Sequence, residues 1–350
     1  MKNIGLKQEW PVPSNKIPII FIGAGGIIKN CHIPAYKKIG FELMGVYDLD
    51  KKNSNELSRE FSIPNVYESL EEALSIKGVV FDIAVPPDQL LKIVNLLPNN
   101  AYALLQKPMG SNYLEAKKIL EICKEKNITA ALNFQLRFSP MMLCLRDIVE
   151  KNIIGEIVDI EFHYSYFLPW HLWPFLEKLD RVEIPLNSIH YFDLIRSIFG
   201  MPKGVFAYST GHPKYPKLKD AKTTAILIYP GNLRCALSLN HCYQFGPTNQ
   251  SANVKIEGTK GVAFLTLGSM LNYPNYLKDK LEIKTVDNDW EEIPLEGSWM
   301  PDAFGGTMSN LQRFISGEDK KLETDVSDTI DTMKLVDALL KSQDSFYKID

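Results

Sequence analysis

The sequence predicts an α/β protein in two parts. An amino-terminal doubly wound parallel sheet precedes an α+β region with a large, open, mainly antiparallel sheet. Three observations predict it. Apolar strand-like runs alternate with helical stretches up to Asn133. Beyond that point, segments of alternating polarity follow one another across glycine-containing turns. The first apolar run also ends abruptly in glycines and continues as a helix, the opening of a dinucleotide-binding βαβ unit. We therefore expect a nucleotide domain over residues 1–133 and a substrate and oligomerisation domain over 134–350, with the last helix a candidate to pack back on the first domain.

The first strand is Ile19-Ile20-Phe21-Ile22, apolar throughout because both faces of a central parallel strand are covered. Gly23 permits the tight turn, and Gly25 removes the side chain that would keep a pyrophosphate off the backbone. A helix starting near Gly26 presents unpaired N–H groups there. Ile28 stands where the glycine fingerprint has its third glycine, a position that serves helix–strand packing. The second strand, Phe41 to Tyr47, closes on Asp48, which follows Ile28 by 20 residues, the offset of the acid that binds the adenosine ribose. Asp48 favours NAD, while Lys51 and Lys52 keep NADP open.

Next come a polar helix from Lys51 to Phe61, a short acidic helix near Glu68 to Leu74, and a buried strand, Val79 to Val85, stopped by Pro86-Pro87. A helix face of Leu90, Leu91, Val94 and Leu97 leads to a strand over Ala101 to Leu105 that ends at Gln106-Lys107-Pro108. Ser111 is the expected N-cap of a helix over Asn112 to Lys126, and Thr129 to Asn133 is a further strand. A helix over Met141 to Lys151 opens the second part. Its strands are expected at Ile157 to Tyr166, Val205 to Thr210, Thr223 to Tyr229, Leu233 to Cys242, Ala252 to Glu257 and Val262 to Leu267. A helix near Leu186 to Phe199 interrupts them. The stripe Val326, Ile330, Met333, Val336, Leu339 and Leu340 marks a terminal core helix.

Composition narrows the function. Hydrophobic content is 45% and charged content 23%, ordinary for a soluble globular chain. With 39 basic and 42 acidic residues the net charge is -3, which argues against nucleic acid as the partner. No apolar run reaches the ~20 residues of a membrane span, and the start lacks the layout of a signal peptide. The cysteines form no C-x-x-C pair and the histidines no zinc spacing, so we expect a reduced, cytoplasmic protein without a metal site.

Two residues are candidates for chemistry. Lys107 follows a parallel strand at the edge where doubly wound folds bind ligands, and Pro108 keeps it out of the helical region. There it could polarise a substrate oxygen; the alternative is an ordinary loop lysine. His190, with Asn187 and Asp193 one turn away, could take up the proton as hydride leaves; the alternative is a core histidine bonded to those neighbours. Arg137 is a candidate substrate ligand or an ion-pair strut. Trp170-His171-Leu172-Trp173 and Trp299-Met300-Pro301-Asp302 are loops whose rings could stack on a sugar or pack in a core.

On Gly23-Ala24-Gly25-Gly26, His32-Ile33-Pro34-Ala35, Asp48, Val85-Pro86-Pro87, Gln106-Lys107-Pro108 and the His190 segment, the chain resembles the Gfo/Idh/MocA family of NAD(P)-dependent oxidoreductases along nearly its whole length. The resemblance implies hydride exchange with a sugar, cyclitol or related polyol, and assembly as a homodimer or homotetramer through the second sheet. It implies that Gly23, Gly25, Gly26, Ile27, Asp48, Val85, Pro86, Gln106 and Lys107 bind the cofactor. Lys107, Arg137, Asn187 and His190 would bind substrate, with Lys107 and His190 catalytic. Three positions depart from the family. Gln106 replaces an acid, Leu90 stands where many members have His, and Leu186 occupies the place of the Asp that precedes the catalytic His. Asn187, Asp193, His163 or Tyr166 would have to replace that Asp. Otherwise the chain is an NAD(H)-binding sensor, or an NAD-assisted glycoside hydrolase.

Overall fold

A computed structural model describes residues 5–343 of the chain. It divides into two compact units. One comprises Glu9–Ser139 and Met300–Lys334; the other comprises Pro140–Trp299 with the described parts of both chain ends.

The amino-terminal unit runs β1 (Ile19–Ile22), α1 (Ile33–Ile39), β2 (Leu43–Tyr47), α2 (Lys51–Phe61), β3 (Asn65–Val66), α3 (Leu70–Leu74), β4 (Val80–Ile83), α4 (Pro87–Leu96), β5 (Tyr102–Leu105), α5 (Tyr113–Glu125) and β6 (Thr129–Leu132). The strands form one parallel sheet in the order β3-β2-β1-β4-β5-β6. Strand order reverses between β1 and β4, so the carboxyl ends of those strands flank the crevice where doubly wound sheets take ligands. All four residues of β1 are buried, as its composition requires. The cap of α5 is Asn112, not Ser111: its side chain accepts the N–H groups of Leu114 and Glu115, while the Ser111 N–H is bound by Glu115. Asn serves as well as Ser at an N-cap, so the sequence offered two adjacent choices.

The other unit contains α6 (Pro140–Glu150), β7 (Ile157–Ser165), α7 (Ile189–Phe199), β8 (Gly204–Thr210), β9 (Lys222–Ile228), β10 (Arg234–Asn240), β11 (Ser251–Gly258), β12 (Gly261–Thr266), β13 (Lys280–Thr285) and β14 (Asn288–Ile293). Its eight strands are ordered β14-β13-β12-β11-β7-β10-β9-β8. Every pair is antiparallel except β7 with β10, which run parallel. Strand alternation gives the sheet two unlike faces. Ile160, Phe162, Tyr164, Leu237, Leu239, Val254 and Ile256 are buried on one. On that face the ring of Tyr191 from α7 meets Tyr164 edge-on, with centroids 4.6 Å apart. On the other, Arg234 and Lys255 pair with Asp159 and Glu161 at the centre, while Phe206, Tyr208, Ile226 and Ile228 stand exposed on β8 and β9.

After Trp299 the chain returns to the first unit as α8 (Asp302–Ile315), an element not anticipated from the sequence. A Cβ on Gly305 would lie 2.3 Å from Ile39 Cδ1, and one on Gly306 would lie 2.7 Å from Phe138 Cβ, so the two glycines let α8 approach α1 and the chain after β6 closely. Phe304, Met308 and Leu311 join Ile19, Phe21, Tyr36 and Val46 in that unit's core. Each such side chain contributes about 1.5–3 kcal/mol by leaving water. The Leu132 N–H then donates to Thr324 O at 2.8 Å, which covers the β6 edge before α9 (Val326–Ser342) begins. Among the described residues no helix is long and apolar enough to cross a membrane.

Candidate active site

Gly23 has φ +106°, and a Cβ there would meet Ala84 O at 2.3 Å, so only glycine fits. Around Gly25, in contrast, a Cβ would meet nothing within 4 Å. The turn is therefore closed beneath Gly23 and open above Gly25. A helix begins at Gly26, as expected, but widens into a π-helical stretch over Ile28–His32 before α1. Asp48, at the end of β2, accepts the Ala24 N–H at 2.7 Å and the Asp50 N–H at 2.8 Å. It thereby fixes the glycine turn as well as standing where a ribose would come.

Val85 is half-buried and Pro86 exposed in the link from β4 to α4. Gln106 and Lys107 follow β5, both half-buried, and the Lys107–Pro108 peptide bond is cis. The Lys107 N–H donates to Gln106 Oε1 at 2.9 Å. Desolvation pushes the Lys107 ammonium down to about 8, which brings a free amine within reach of neutral pH. Behind this segment lies a group that sequence reading missed. His32 Nδ1 is 2.7 Å from Asp82 Oδ2, which also accepts the Tyr36 hydroxyl at 2.7 Å; both His32 and Asp82 are fully buried. The signal was present, since an acid inside the apolar run Val79 to Val85 needs a buried partner. Leu90, on α4, is a buried core residue. Arg137 is buried too, its Nη1 donating to Glu323 O at 2.7 Å and to the Asp328 carboxylate at 3.0 Å, a strut role that the sequence left open.

In the other unit His190 lies on α7, 5% exposed, with its ring 5.6 Å from that of Trp299 in an edge contact. The π-helical stretch Glu183–Asn187 precedes it. Of the groups weighed as replacements for an acid at Leu186, Asn187 donates to Glu183 Oε2 at 3.2 Å, and Asp193 lies 3.7 Å from Arg196 on its own helix. Tyr166 is fully buried, and burial pushes its phenol well above the usual range, as it does for Tyr164 and Tyr191. His163 points to the exposed face of β7, opposite Phe162 and Tyr164, so strand alternation removes it from that role. A buried acid just before α7 is Glu183, another residue missed in the sequence. It accepts the Ser188 hydroxyl and lies 2.8 Å from Nδ1 of His241, which stands 58 positions further on. Trp170 is buried, its indole N–H donating to His241 O, whereas Trp173 is partly exposed.

Residues 17–134 match the model of an oxidoreductase family with an NAD-binding Rossmann fold, and residues 146–348 match that family's C-terminal α/β domain. The chain belongs to the Gfo/Idh/MocA oxidoreductase family. Among its relatives, the oxidoreductase YhhX of Escherichia coli is 28% identical over 269 residues, 72% of this chain and 70% of YhhX. Glucose-6-phosphate 3-dehydrogenase of Bacillus subtilis is 27% identical over 147 residues, 41% of each chain. A solved levoglucosan dehydrogenase, in complex with NADH and levoglucosan, superposes with a TM-score of 0.79 at 17% identity, covering 94% of this chain and 98% of its own.

As a Gfo/Idh/MocA member the chain is a nicotinamide-dependent oxidoreductase that binds NAD. The glycine turn fits that group. The open backbone at Gly25, the helix beginning at Gly26 and the carboxylate of Asp48 stand together at the carboxyl ends of β1 and β2. Gln106 and Lys107 follow β5, two strand spacings from β1, or roughly 10 Å.

Proposed function

We propose that this family member is a dehydrogenase of a sugar, cyclitol or related polyol, with Lys107 and His190 as its catalytic residues. The observation that carries the reading is the open glycine turn on the same sheet edge as a desolvated lysine. Gly23, Gly25, Gly26 and Ile27 would cradle the pyrophosphate, Asp48 the adenosine ribose, and Val85, Pro86 and Gln106 the nicotinamide half. A nicotinamide bound there would supply the hydride acceptor or donor for the substrate carbon. Lys107 holds the reacting hydroxyl through a hydrogen bond and steadies the negative charge that grows on its oxygen. His190 exchanges the hydroxyl proton, and Asn187 and the first turn of α7 orient the substrate. Arg137, occupied by Glu323 and Asp328, holds the unit together instead.

The likeness to glucose-6-phosphate 3-dehydrogenase and to levoglucosan dehydrogenase supports a carbohydrate-type substrate. A reducing compartment such as the cytoplasm agrees with five cysteines that are all buried and unpaired. The exposed Phe206, Tyr208, Ile226 and Ile228 supply an apolar face for a second copy. A Phe206→Asp, Ile226→Asp double variant is expected to run as a monomer in light scattering where the parent runs as a dimer or tetramer. The function is tested by supplying NAD with a panel of aldoses, inositols and sugar phosphates and following NADH absorbance. Turnover on one class supports the reading. NAD binding without turnover on any of them rejects it in favour of a sensor.

A further inference from the structure

Three parallel strands end around one imidazole. Asp82 lies in β4, Gln106 follows β5 and Asn133 follows β6, and the carboxamide nitrogens of Gln106 and Asn133 stand 3.5 Å and 3.1 Å from His32 Nε2. The π-helical stretch Ile28–His32 carries His32 inward, against the Phe304 ring at 4.9 Å. The proton positions follow from the partners. A carboxylate only accepts, so Nδ1 carries the hydrogen that meets Asp82. A carboxamide nitrogen only donates, so Nε2 presents its lone pair. The orientation of Gln106 is fixed independently, because its oxygen receives the Lys107 N–H. The hydrogen-bonded chain thus runs from Asp82 through His32 and Gln106 to the Lys107 backbone.

We propose that the buried Asp82–His32 pair is the positioning device for the Gln106–Lys107 segment, and that position 106 requires a carboxamide because His32 offers a lone pair there and not a proton. The inference rests on the reading of Lys107 as the group that holds the substrate oxygen. Asp82 sets the tautomer, His32 transmits it, and Gln106 turns it into the orientation of the peptide that carries Lys107. Tyr36 supports the pair by donating to the same carboxylate oxygen and is the only other titratable group with a contact to His32 among the described residues. Misplacing a catalytic group by about 1 Å costs on the order of a hundredfold in rate, so a residue that never touches substrate can govern turnover.

The test uses the full chain labelled with 15N at its histidine rings, with the His32 signals identified by their loss in His32→Gln. The parent is expected to show His32 as the neutral Nδ1–H tautomer, with or without NAD. In Gln106→Glu a carboxylate faces the lone pair, so His32 is expected to gain a second ring proton at neutral pH, while Gln106→Ala leaves it singly protonated. Asp82→Asn is expected to abolish the Nδ1–H preference and lower kcat roughly a hundredfold, with KM for NAD changed less than threefold. An Nε2–H or doubly protonated His32 in the parent, or an unchanged ring in Gln106→Glu, overturns the proposal. The expected ring signals together with no polyol turnover in the parent would leave the positioning pair standing and reject the polyol reading.

Discussion

Asp48 accepts the backbone N–H of Ala24 at 2.7 Å, inside the turn that Gly23 and Gly25 bracket. One carboxylate therefore shapes the glycine turn and, in the proposed mode of NAD binding, would also meet the adenosine ribose. Removing it would then lose both. Asp48→Ala is expected to raise the dissociation constant for NAD by roughly ten- to a hundredfold, since each hydrogen bond to a charged group is worth about 1.5–3 kcal/mol. Titration by calorimetry checks it; unchanged affinity would assign the adenosine half of NAD to another place.

Two glycines of that turn should respond in opposite ways. Gly23→Ala must relieve a 2.3 Å approach to Ala84 O at a positive φ, and is expected to cost at least about 1–3 kcal/mol of stability. Gly25→Val has open space around its Cβ, so it should leave the melting temperature nearly unchanged and weaken NAD binding instead. Thermal melts and NAD titration on the two variants separate the turn's structural glycine from its ligand-facing one.

Glu183 and His241 are both fully buried. Glu183→Ala strands the His241 ring and the Ser188 hydroxyl without their acceptor. Breaking a buried pair from one side costs about 3–5 kcal/mol, so the unit bearing α7 should melt well below the parent. Chemical denaturation followed by the tryptophans of that unit measures it.

Lys107 supplies a pH dependence whose sign can be worked out. Burial lowers its ammonium to about 8 from the ordinary lysine value near 10.5. Below pH 8 folded and unfolded chains both carry the proton, and the folded one bears the full desolvation cost. Between about 8 and 10.5 the unfolded chain binds more protons, so this group's contribution to stability rises with pH. Alcohol oxidation should in contrast fall above pH 8, as Lys107 loses the ammonium charge that steadies the negative charge growing on the substrate oxygen. Lys107→Met should remove that limb along with turnover, keep NAD binding, and melt no lower than the parent at pH 7.

Much of this was legible because parallel sheets write themselves plainly. Ile19–Ile22, Gly23, Gly25 and Asp48 each answer to a local rule, and α2 runs from Lys51 to Phe61 as its polarity indicated. β13, β14 and α8 were not anticipated. Trp290 is exposed on β14, so apolarity there marks no core, and nothing in the local pattern of Gly305 and Gly306 says that α8 completes the amino-terminal unit. Glu183 was hidden because a π-helical stretch breaks the spacing that led to Leu186, and its partner His241 comes from the far end of β10. Pairings of this kind are made by topology, which a local pattern does not carry.

The most direct measurement is a crystal structure of the chain with NADH and a polyol that it oxidises. The account predicts the pyrophosphate over Gly25, the nicotinamide beside Lys107, and one substrate hydroxyl within hydrogen-bond distance of both Lys107 Nζ and the His190 ring. A dinucleotide bound away from the glycine turn, or a Lys107 and His190 too far apart to touch the same molecule, would contradict it.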